Sequence, residues 1–169
     1  MAELVWESAQ RLATDTLSTH WADSSFPVDP FRIAKKLGID VSVAPLPDNL
    51  SGMIVGQGDL IRAYVDSSEP VTRQRFTCAH EVGHYIERME LANDDDYSFE
   101  DKRGSGHYDL HEFFADEFAG NLLMPRSEID RLKSAGYSLV RIAGHFGVSP
   151  QALRQRLTRL AKIDAAIAR

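Results

Sequence analysis

The sequence has little cysteine and no long hydrophobic run. Its single cysteine, Cys78, cannot form an internal disulfide, which excludes a fold held by disulfide bonds and fits a reducing compartment. No stretch approaches the roughly 18 to 20 apolar residues that a membrane-spanning helix requires. The first ten residues, MAELVWESAQ, lack the basic and then apolar layout of a signal peptide. We therefore expect a cytoplasmic protein.

Charge is distributed unevenly along a chain whose composition is that of one folded globular domain. Of its 169 residues, 43% are hydrophobic and 26% are charged, and the formal net charge is −6. Residues 126–169 contain nine Lys and Arg against three Asp and Glu, whereas residues 1–125 contain ten against 22. A basic helical segment can contact phosphates, although a solvated helix face is the commoner reason for such a composition. We therefore divide the chain into an acidic core, residues 1–125, and a basic C-terminal helical segment, residues 126–169.

Hydrophobic patterning predicts an α+β fold that is mostly helical. A period near 3.6 indicates a helix over residues 3–20, and Asp29 before a proline indicates the N-cap of a second helix. Three short apolar segments, VSVAPL, GMIVGQ and LIRAYVD, are separated by turn residues. They predict a small three-stranded antiparallel sheet, packed beside the helix that carries the candidate site.

Two further helices are expected in the second half of the core. The first follows Pro70 and continues to about Met89, and the second covers residues 110–123 and ends before Pro125. The polar residues between them, 92–109, include glycine and predict a loop. These two helices carry the residues of chemical interest.

The first of these two helices contains the pattern His-Glu-x-x-His, formed by His80, Glu81 and His84. Residues four apart differ by about 40° around a helix, so both imidazoles project from one face and can reach one zinc ion. Glu81 lies beside that face, where it could take a proton from a water molecule. Chance produces this pattern in roughly one shuffled chain in eighty. A helix with two buried, hydrogen-bonded histidines is therefore the alternative.

The second helix supplies two carboxylates at the same spacing. Glu112 and Asp116 share one face, while Phe114 and Phe118 can pack elsewhere. A catalytic zinc of this type has three protein ligands and one open position. Glu112 can be the third ligand, and Asp116 can accept a hydrogen bond from the far nitrogen of a ligand histidine. Together the two helices can supply one metal site.

Three residues near the start of the second helix are candidate contacts to the substrate or its oxyanion. His107, Tyr108 and His111 could each donate a hydrogen bond to the oxyanion that develops during peptide hydrolysis. His111 could also compete with Glu112 as a metal ligand. An ordinary role in the loop or at the helix start is the alternative for each residue, and we favour it.

The joint pattern of both helices resembles the ImmA/IrrE family of zinc metallopeptidases. The resemblance rests on RQRFTCAHEVGHYI and on ExxxDxFAxxLLMP, the pattern that begins at Glu112. It extends upstream to PVDPFRIAKKLGIDV, which is similar to the helix before the family's small sheet, and so covers about residues 26–125. This joint pattern is far more specific than His-Glu-x-x-His alone.

The resemblance implies a gluzincin-like zinc site and a role for each of its residues. His80, His84 and Glu112 would hold the zinc ion, and Glu81 would be the catalytic base. The sequence departs from the family at Asp116, where the family usually has Asn. Either side chain can orient His80, so this departure does not change the expectation of peptidase activity.

The C-terminal segment has the outline of a helix-turn-helix. In SLVRIAGHFGVSPQALRQRLTRLAKI, a helix is followed by a turn at Gly147 and by an N-cap at Ser149. The second helix of this segment carries four basic residues: Arg154, Arg156, Arg159 and Lys162. In a DNA-binding protein such a helix enters the major groove. Similar segments accompany the peptidase core in the ImmA/IrrE family, and we favour packing on the core and partner recognition over binding to DNA.

We therefore expect a zinc-dependent endopeptidase. As the resemblance implies, it would cleave a helix-turn-helix (Xre-like) repressor or antitoxin and so relieve transcriptional repression. The alternative is a toxin-antitoxin component, or a regulator that binds DNA or a partner, with a structural or weakly active metal site. A substrate peptide could add a strand to the edge of the small sheet, at GMIVGQ or LIRAYVD. No interaction with a membrane is expected.

Overall fold

This computed structural model describes residues 3–23, 25–104 and 108–168. These described residues contain seven α-helices and one four-stranded sheet. The helices are α1 (Val5–His20), α2 (Pro30–Lys36), α3 (Val71–Glu87), α4 (Leu110–Leu123), α5 (Arg126–Ser134), α6 (Leu139–Phe146) and α7 (Pro150–Ile167). The strands are β1 (Ile39–Ala44), β2 (Leu50–Gln57), β3 (Leu60–Asp66) and β4 (Asp96–Lys102). A π-helical turn, Arg88–Ala92, continues α3. Among these described residues, no helix combines the length and the apolar character that crossing a membrane requires.

The helix boundaries follow local signals in the sequence. Asp29 accepts hydrogen bonds from the backbone N–H groups of Phe31 and Arg32 at the start of α2. Ser149 likewise accepts one from Ala152 at the start of α7, and Gly147 ends α6 with a φ of 64°. The α+β class and these helix ends are therefore confirmed.

The sheet differs from the predicted one in strand number and in direction. Its order is β1-β3-β2-β4: β2 pairs antiparallel with β3 and β4, but β1 pairs parallel with β3. The parallel pair arises because a two-residue turn at Gly58 and Asp59 folds β3 back into the position between β1 and β2. The prediction of a three-stranded antiparallel sheet was therefore wrong.

Strand β4 lies within residues 92–109, which were predicted to form a loop. Its sequence, DYSFEDK, places Tyr97 and Phe99 on one face with polar residues between them. That alternation is the signal of a half-buried strand, but the surrounding polar residues obscured it. In the part of the chain that the structure describes, no strand pairs with the outer side of β4. GMIVGQ and LIRAYVD, in contrast, are interior strands, so the expectation that a peptide adds to either of them was wrong.

Helices α3 and α4 pack closely against each other, and this contact positions the candidate site. Gly83 permits the close approach, because a Cβ atom there would lie 3.0 Å from the Cα atom of Ala115. Phe114 and Phe118 on α4 are almost fully buried, and α1 also packs against α4. The close approach brings residues at the start of α4 next to the histidines of α3.

The C-terminal segment packs on the core. Phe146 and Leu153 belong to the same buried apolar cluster as residues of α3 and α4. Arg75 on α3 donates hydrogen bonds to the backbone carbonyls of Val28 (2.6 Å) and Gly147 (3.0 Å). This arginine therefore links α3 to the end of α6. The division of the chain into a core, residues 1–125, and a separate C-terminal segment, residues 126–169, remains a prediction.

Candidate metal centre

Three side chains from α3 and α4 converge where the sequence predicts a metal. His80 Nε2 lies 3.1 Å from His84 Nε2, and each of these nitrogens lies 3.3 Å from an oxygen of Glu112. One potential ligand atom from each residue thus lies within 4.8 Å of the other two. Two imidazole nitrogens and a carboxylate are a set of ligands that suits a catalytic zinc ion, which keeps a fourth position open.

Neighbouring side chains hold both imidazole rings in place. The far nitrogen of His80, Nδ1, lies 3.0 Å from Asp116 Oδ1, so Nε2 faces His84 and Glu112. The ring of His84 stacks on Phe99 of β4, with 4.1 Å between the centroids and 4° between the planes. His80 and His84 are 3% and 0% exposed. Neither ring can turn toward solvent without disturbing this packing.

The electrostatics of the cluster suit a bound cation. Burial alone would lower the pKa of His80, but hydrogen bonds with Asp116 and Glu112 raise it well above its ordinary value. Burial would raise the pKa of Glu112, yet its contacts with the two histidines hold that pKa well below its ordinary value. Burial lowers the pKa of His84 to about 4. At neutral pH His84 is therefore neutral and the two carboxylates are ionised, whereas His80 holds a proton. A metal ion that binds would displace that proton, and with it removed these residues fit a zinc ion.

Glu81 is buried beside this cluster. Its side chain is 1% exposed, and within the described ranges neither of its carboxyl oxygens has a hydrogen-bond partner. Burial raises the pKa of Glu81 to about 8, although the nearby His80 opposes this effect. A Cβ atom on Gly52 of β2 would lie 2.7 Å from Glu81 Oε1, so the strand passes close to the carboxyl group. A buried carboxyl group without a partner is costly to the fold, which favours a chemical role over a structural one.

A cleft of 550 Å³ borders His80 and Glu112. Its walls include residues of β4, α4 and α7, and its lining carries charges of both signs. Among the described residues, neither Glu81 nor His111 lines this cleft. A volume of this size is typical of ligand-binding sites.

The three candidate substrate contacts lie in different places. Tyr108 lines the cleft, and its hydroxyl donates a hydrogen bond to Asp116 Oδ2 at 2.9 Å. Burial, together with the Asp116 charge, raises the pKa of Tyr108 to about 12, so the hydroxyl keeps its proton at neutral pH. His111 instead contacts Glu87, with 2.8 Å between Nδ1 and Oε1. His107 lies outside the described residues. The structure therefore brings Tyr108, but not His111, to the cluster.

Two arginines of α7 contact α4 near the site. The sequence placed both on a basic helix but did not indicate these contacts. Arg156 is 3% exposed and donates to Asn121 Oδ1 at 2.6 Å. Arg159 donates to Glu117 Oε1 at 2.6 Å. Their spacing of three residues puts them on one helix face beside the buried Leu153. That spacing was a signal in the sequence for an inward-facing pair.

The chain matches one protein family and is similar in fold to a solved structure. The family described as Peptidase_M78: IrrE N-terminal-like domain matches residues 34–158. A Mycobacterium tuberculosis transcriptional regulator has a similar structure, with a TM-score of 0.59 and 20% sequence identity. That similarity covers 91% of this chain but only 46% of the regulator, so it concerns the fold alone. No curated protein sequence matches this chain.

Proposed function

Because the chain belongs to the Peptidase_M78 family with its IrrE N-terminal-like domain, we propose that it is a zinc-dependent endopeptidase. The observation that carries this proposal is the convergence of His80, His84 and Glu112, with Asp116 on the far nitrogen of His80. The family is one of peptidases, and the match covers most of the chain. Zinc and the individual roles of these residues are parts of the proposal.

In this proposal the protein supplies three ligands, a base and an orienting carboxylate. His80, His84 and Glu112 would hold the zinc ion, which when bound acts as a Lewis acid and makes a water molecule more acidic. Glu81 would accept the proton of that water and deliver it to the leaving amine. The pKa of Glu81 falls when a cation lies nearby, so its carboxyl group becomes a base near neutral pH. Asp116 would accept a hydrogen bond from the Nδ1–H group of His80 and would thereby fix the tautomer of that ring.

The substrate peptide would lie along the edge of β4. Residues of this strand from Ser98 to Lys102 line the cleft, and an extended peptide can add to an exposed strand through main-chain hydrogen bonds. Tyr108 would serve the site by holding Asp116, because its hydroxyl proton is already donated to that carboxylate. Interior strands β2 and β3 would support β4 from the other side.

We propose that the protein substrate is a helix-turn-helix (Xre-like) repressor or an antitoxin, whose cleavage would relieve repression. The resemblance to ImmA/IrrE peptidases supports this substrate class, and the structural neighbour is by name a transcriptional regulator. The second candidate is a regulator that binds DNA or a partner through α7, with a structural metal site. The turn at Gly147 and the cap at Ser149 favour it, because they join α6 and α7 as in a helix-turn-helix.

Cleavage of a purified helix-turn-helix (Xre-like) repressor tests the proposal. The purified wild-type protein with zinc should cut that substrate, a chelator should stop the reaction, and added zinc should restore it. Glu81→Gln should bind zinc normally and should not cleave. Glu90→Gln is the matched control, because Glu90 is an exposed carboxylate in the π-helical turn that continues the same helix. It should cleave at the wild-type rate.

Two results would contradict the assignment. One is cleavage by Glu81→Gln at the wild-type rate, and the other is wild-type cleavage that continues after the metal has been removed. If the wild-type protein binds zinc and operator DNA but cuts nothing, the second candidate function is supported instead. Mass spectrometry of the products identifies the cleaved bond.

A further inference from the structure

We propose that Arg159, on the C-terminal helix α7, is a positioning residue of the metal centre. It would hold Asp116 and Tyr108 in the arrangement that orients His80, so that α7 completes the site rather than only packing on it. This inference deepens the proposed function and rests on it. No part of the sequence pattern pointed to such a role, since Arg159 lies 43 positions after Asp116.

The guanidinium group of Arg159 contacts one side chain just before α4 and two in the middle of that helix. Its Nη2 atom donates to the hydroxyl of Tyr108 at 2.6 Å and lies 3.4 Å from Asp116 Oδ2. Its Nη1 atom donates to Glu117 Oε1 at 2.6 Å. A guanidinium presents its N–H groups in a planar fork, so one arginine can fix several acceptors in a set geometry. The ammonium group of lysine cannot reproduce that fork.

Asp116 transmits this contact to the predicted ligand His80. Its Oδ2 atom accepts the hydrogen bond of Tyr108 at 2.9 Å and faces Arg159, while its Oδ1 atom lies 3.0 Å from His80 Nδ1. Both oxygens of the carboxylate are therefore engaged, and its plane is fixed. Because the carboxylate sets the direction of the imidazole, the Nε2 atom of His80 stays aimed at the other two ligands.

A second arginine anchors α7, which leaves Arg159 free for this role. Arg156 is 3% exposed, donates to Asn121, and lies 3.5 Å from the buried carboxylate of Glu117. Arg159 is attached to the same Glu117 by one nitrogen and reaches the site with the other. α7 is thus held by Arg156 and by the buried Leu153, whereas the contact of Arg159 extends to the metal centre.

The test measures the zinc affinity of each variant in the absence of substrate. Arg159→Gln should weaken zinc binding by up to roughly 10-fold, the lower end of the loss that follows removal of a group in direct contact with a metal ligand, because Arg159 acts through Asp116. It should also shift the visible absorption bands of the cobalt-substituted protein, because the ligand geometry changes. Arg159→Lys should recover part of the affinity, because it keeps the charge but not the fork. Tyr108→Phe, which removes only a hydroxyl, should give a smaller loss in the same direction.

Two control variants separate positioning from general packing of α7. Arg154→Gln removes an exposed arginine of the same helix. Arg126→Gln removes the ion pair with Asp164 (2.6 Å) that joins α5 to α7 away from the site. Both should bind zinc with wild-type affinity and give the wild-type cobalt spectrum. Melting of each metal-free variant reports whether α7 remains docked.

The outcomes distinguish this inference from the proposed function. Wild-type zinc affinity and an unchanged cobalt spectrum in Arg159→Gln would overturn the inference alone. An equal loss of affinity in Arg126→Gln would also overturn it, because the effect would then follow from loosened packing. Failure of the wild-type protein itself to bind zinc would refute the proposed function together with the inference. If Arg159→Gln does not fold, Arg159→Lys decides the question, because wild-type affinity and an unchanged cobalt spectrum in that variant would overturn the inference.

Discussion

Replacing Gly52 with alanine tests whether the position of Glu81 depends on the absence of a side chain on β2. A Cβ atom at Gly52 would lie 2.5 Å from Thr77 Cγ2 and 2.7 Å from Glu81 Oε1. Ordinary van der Waals contact begins near 3.4 Å, so Oε1 would have to recede by about 0.7 Å. Thr77 and Glu81 are 0% and 1% exposed, and neither has open space to move into.

We expect Gly52→Ala to lower the free energy of unfolding by about 1–3 kcal/mol, the usual cost of overpacking a well-packed site. Cleavage should suffer more, because displacing a catalytic group by roughly 1 Å can reduce the rate about 100-fold. Zinc affinity should change little, since the three nearest contacts of the added methyl group do not include a predicted ligand. Loss of turnover with retained zinc is therefore the expected signature.

Urea unfolding of the metal-free protein, chelator competition and the cleavage rate measure these three quantities. Gly144→Ala is the matched control: it lies within α6, and a Cβ atom there meets nothing within 4 Å. That substitution should leave cleavage unchanged and raise stability by up to about 1 kcal/mol, because alanine is the better helix former. If Gly52→Ala unfolds at the wild-type urea concentration and cleaves at the wild-type rate, β2 does not constrain Glu81 and the reasoning fails.

Three further predictions concern stability. Glu117→Ala should lower the free energy of unfolding by about 3–5 kcal/mol, because it leaves the buried Arg156 without its anionic partner; a loss below about 1 kcal/mol in urea unfolding would contradict this. Hydrogen bonds, of which that from a serine hydroxyl has the largest effect, lower the pKa of Asp66 in the folded state to about 2. The ionised carboxylate therefore stabilises the fold fully above the unfolded pKa near 4, and this stabilisation is lost as the pH falls toward 2. Asp66→Asn should therefore remove that part of the acid sensitivity in urea unfolding at a series of pH values, whereas the exposed control Asp59→Asn should keep it. Glu112→Gln should abolish the stabilisation by zinc, about 2.7 kcal/mol at 100 times the Kd, and calorimetry that finds the wild-type gain in this variant would remove Glu112 from the ligand set.

The residues of the candidate site could be predicted from the sequence where they depend on helical periodicity. His80 and His84 share a face because they are four residues apart, and the same spacing joins Glu112 to Asp116. Spacing alone could not bring the two helices together. Their close approach depends on Gly83 against α4, a contact between residues distant in sequence. The need of a catalytic zinc for a third protein ligand suggested the pairing of the helices, and the family resemblance then implied it.

Strand β4 and the inward-facing arginines were missed, because their local signals are weak and their burial depends on distant partners. Phe99 lies in a polar stretch, and its partial burial depends on the neighbouring β2 and on the stacked ring of His84. Arg156 and Arg159 read as surface charge until Glu117 is placed opposite them. Sequence composition counts charges but does not pair them, so the basic character of α7 suggested DNA more strongly than its contacts do.

The pairing of these charges bears on what the C-terminal segment can bind. Arg156 and Arg159 both contact the buried Glu117, and Arg126 is paired with Asp164. Turning the two α7 arginines toward DNA phosphates would leave Glu117 buried and unpaired, at a cost of several kcal/mol. DNA affinity grows with the number of phosphates that a protein neutralises, so each arginine held inside the fold reduces it. If Arg159 has the proposed role, the same movement would also release the carboxylate that orients His80. DNA binding through α7 would then oppose peptidase activity. The contacts of α7 therefore argue against a helix that reads DNA and support the proposal that α7 completes the metal centre.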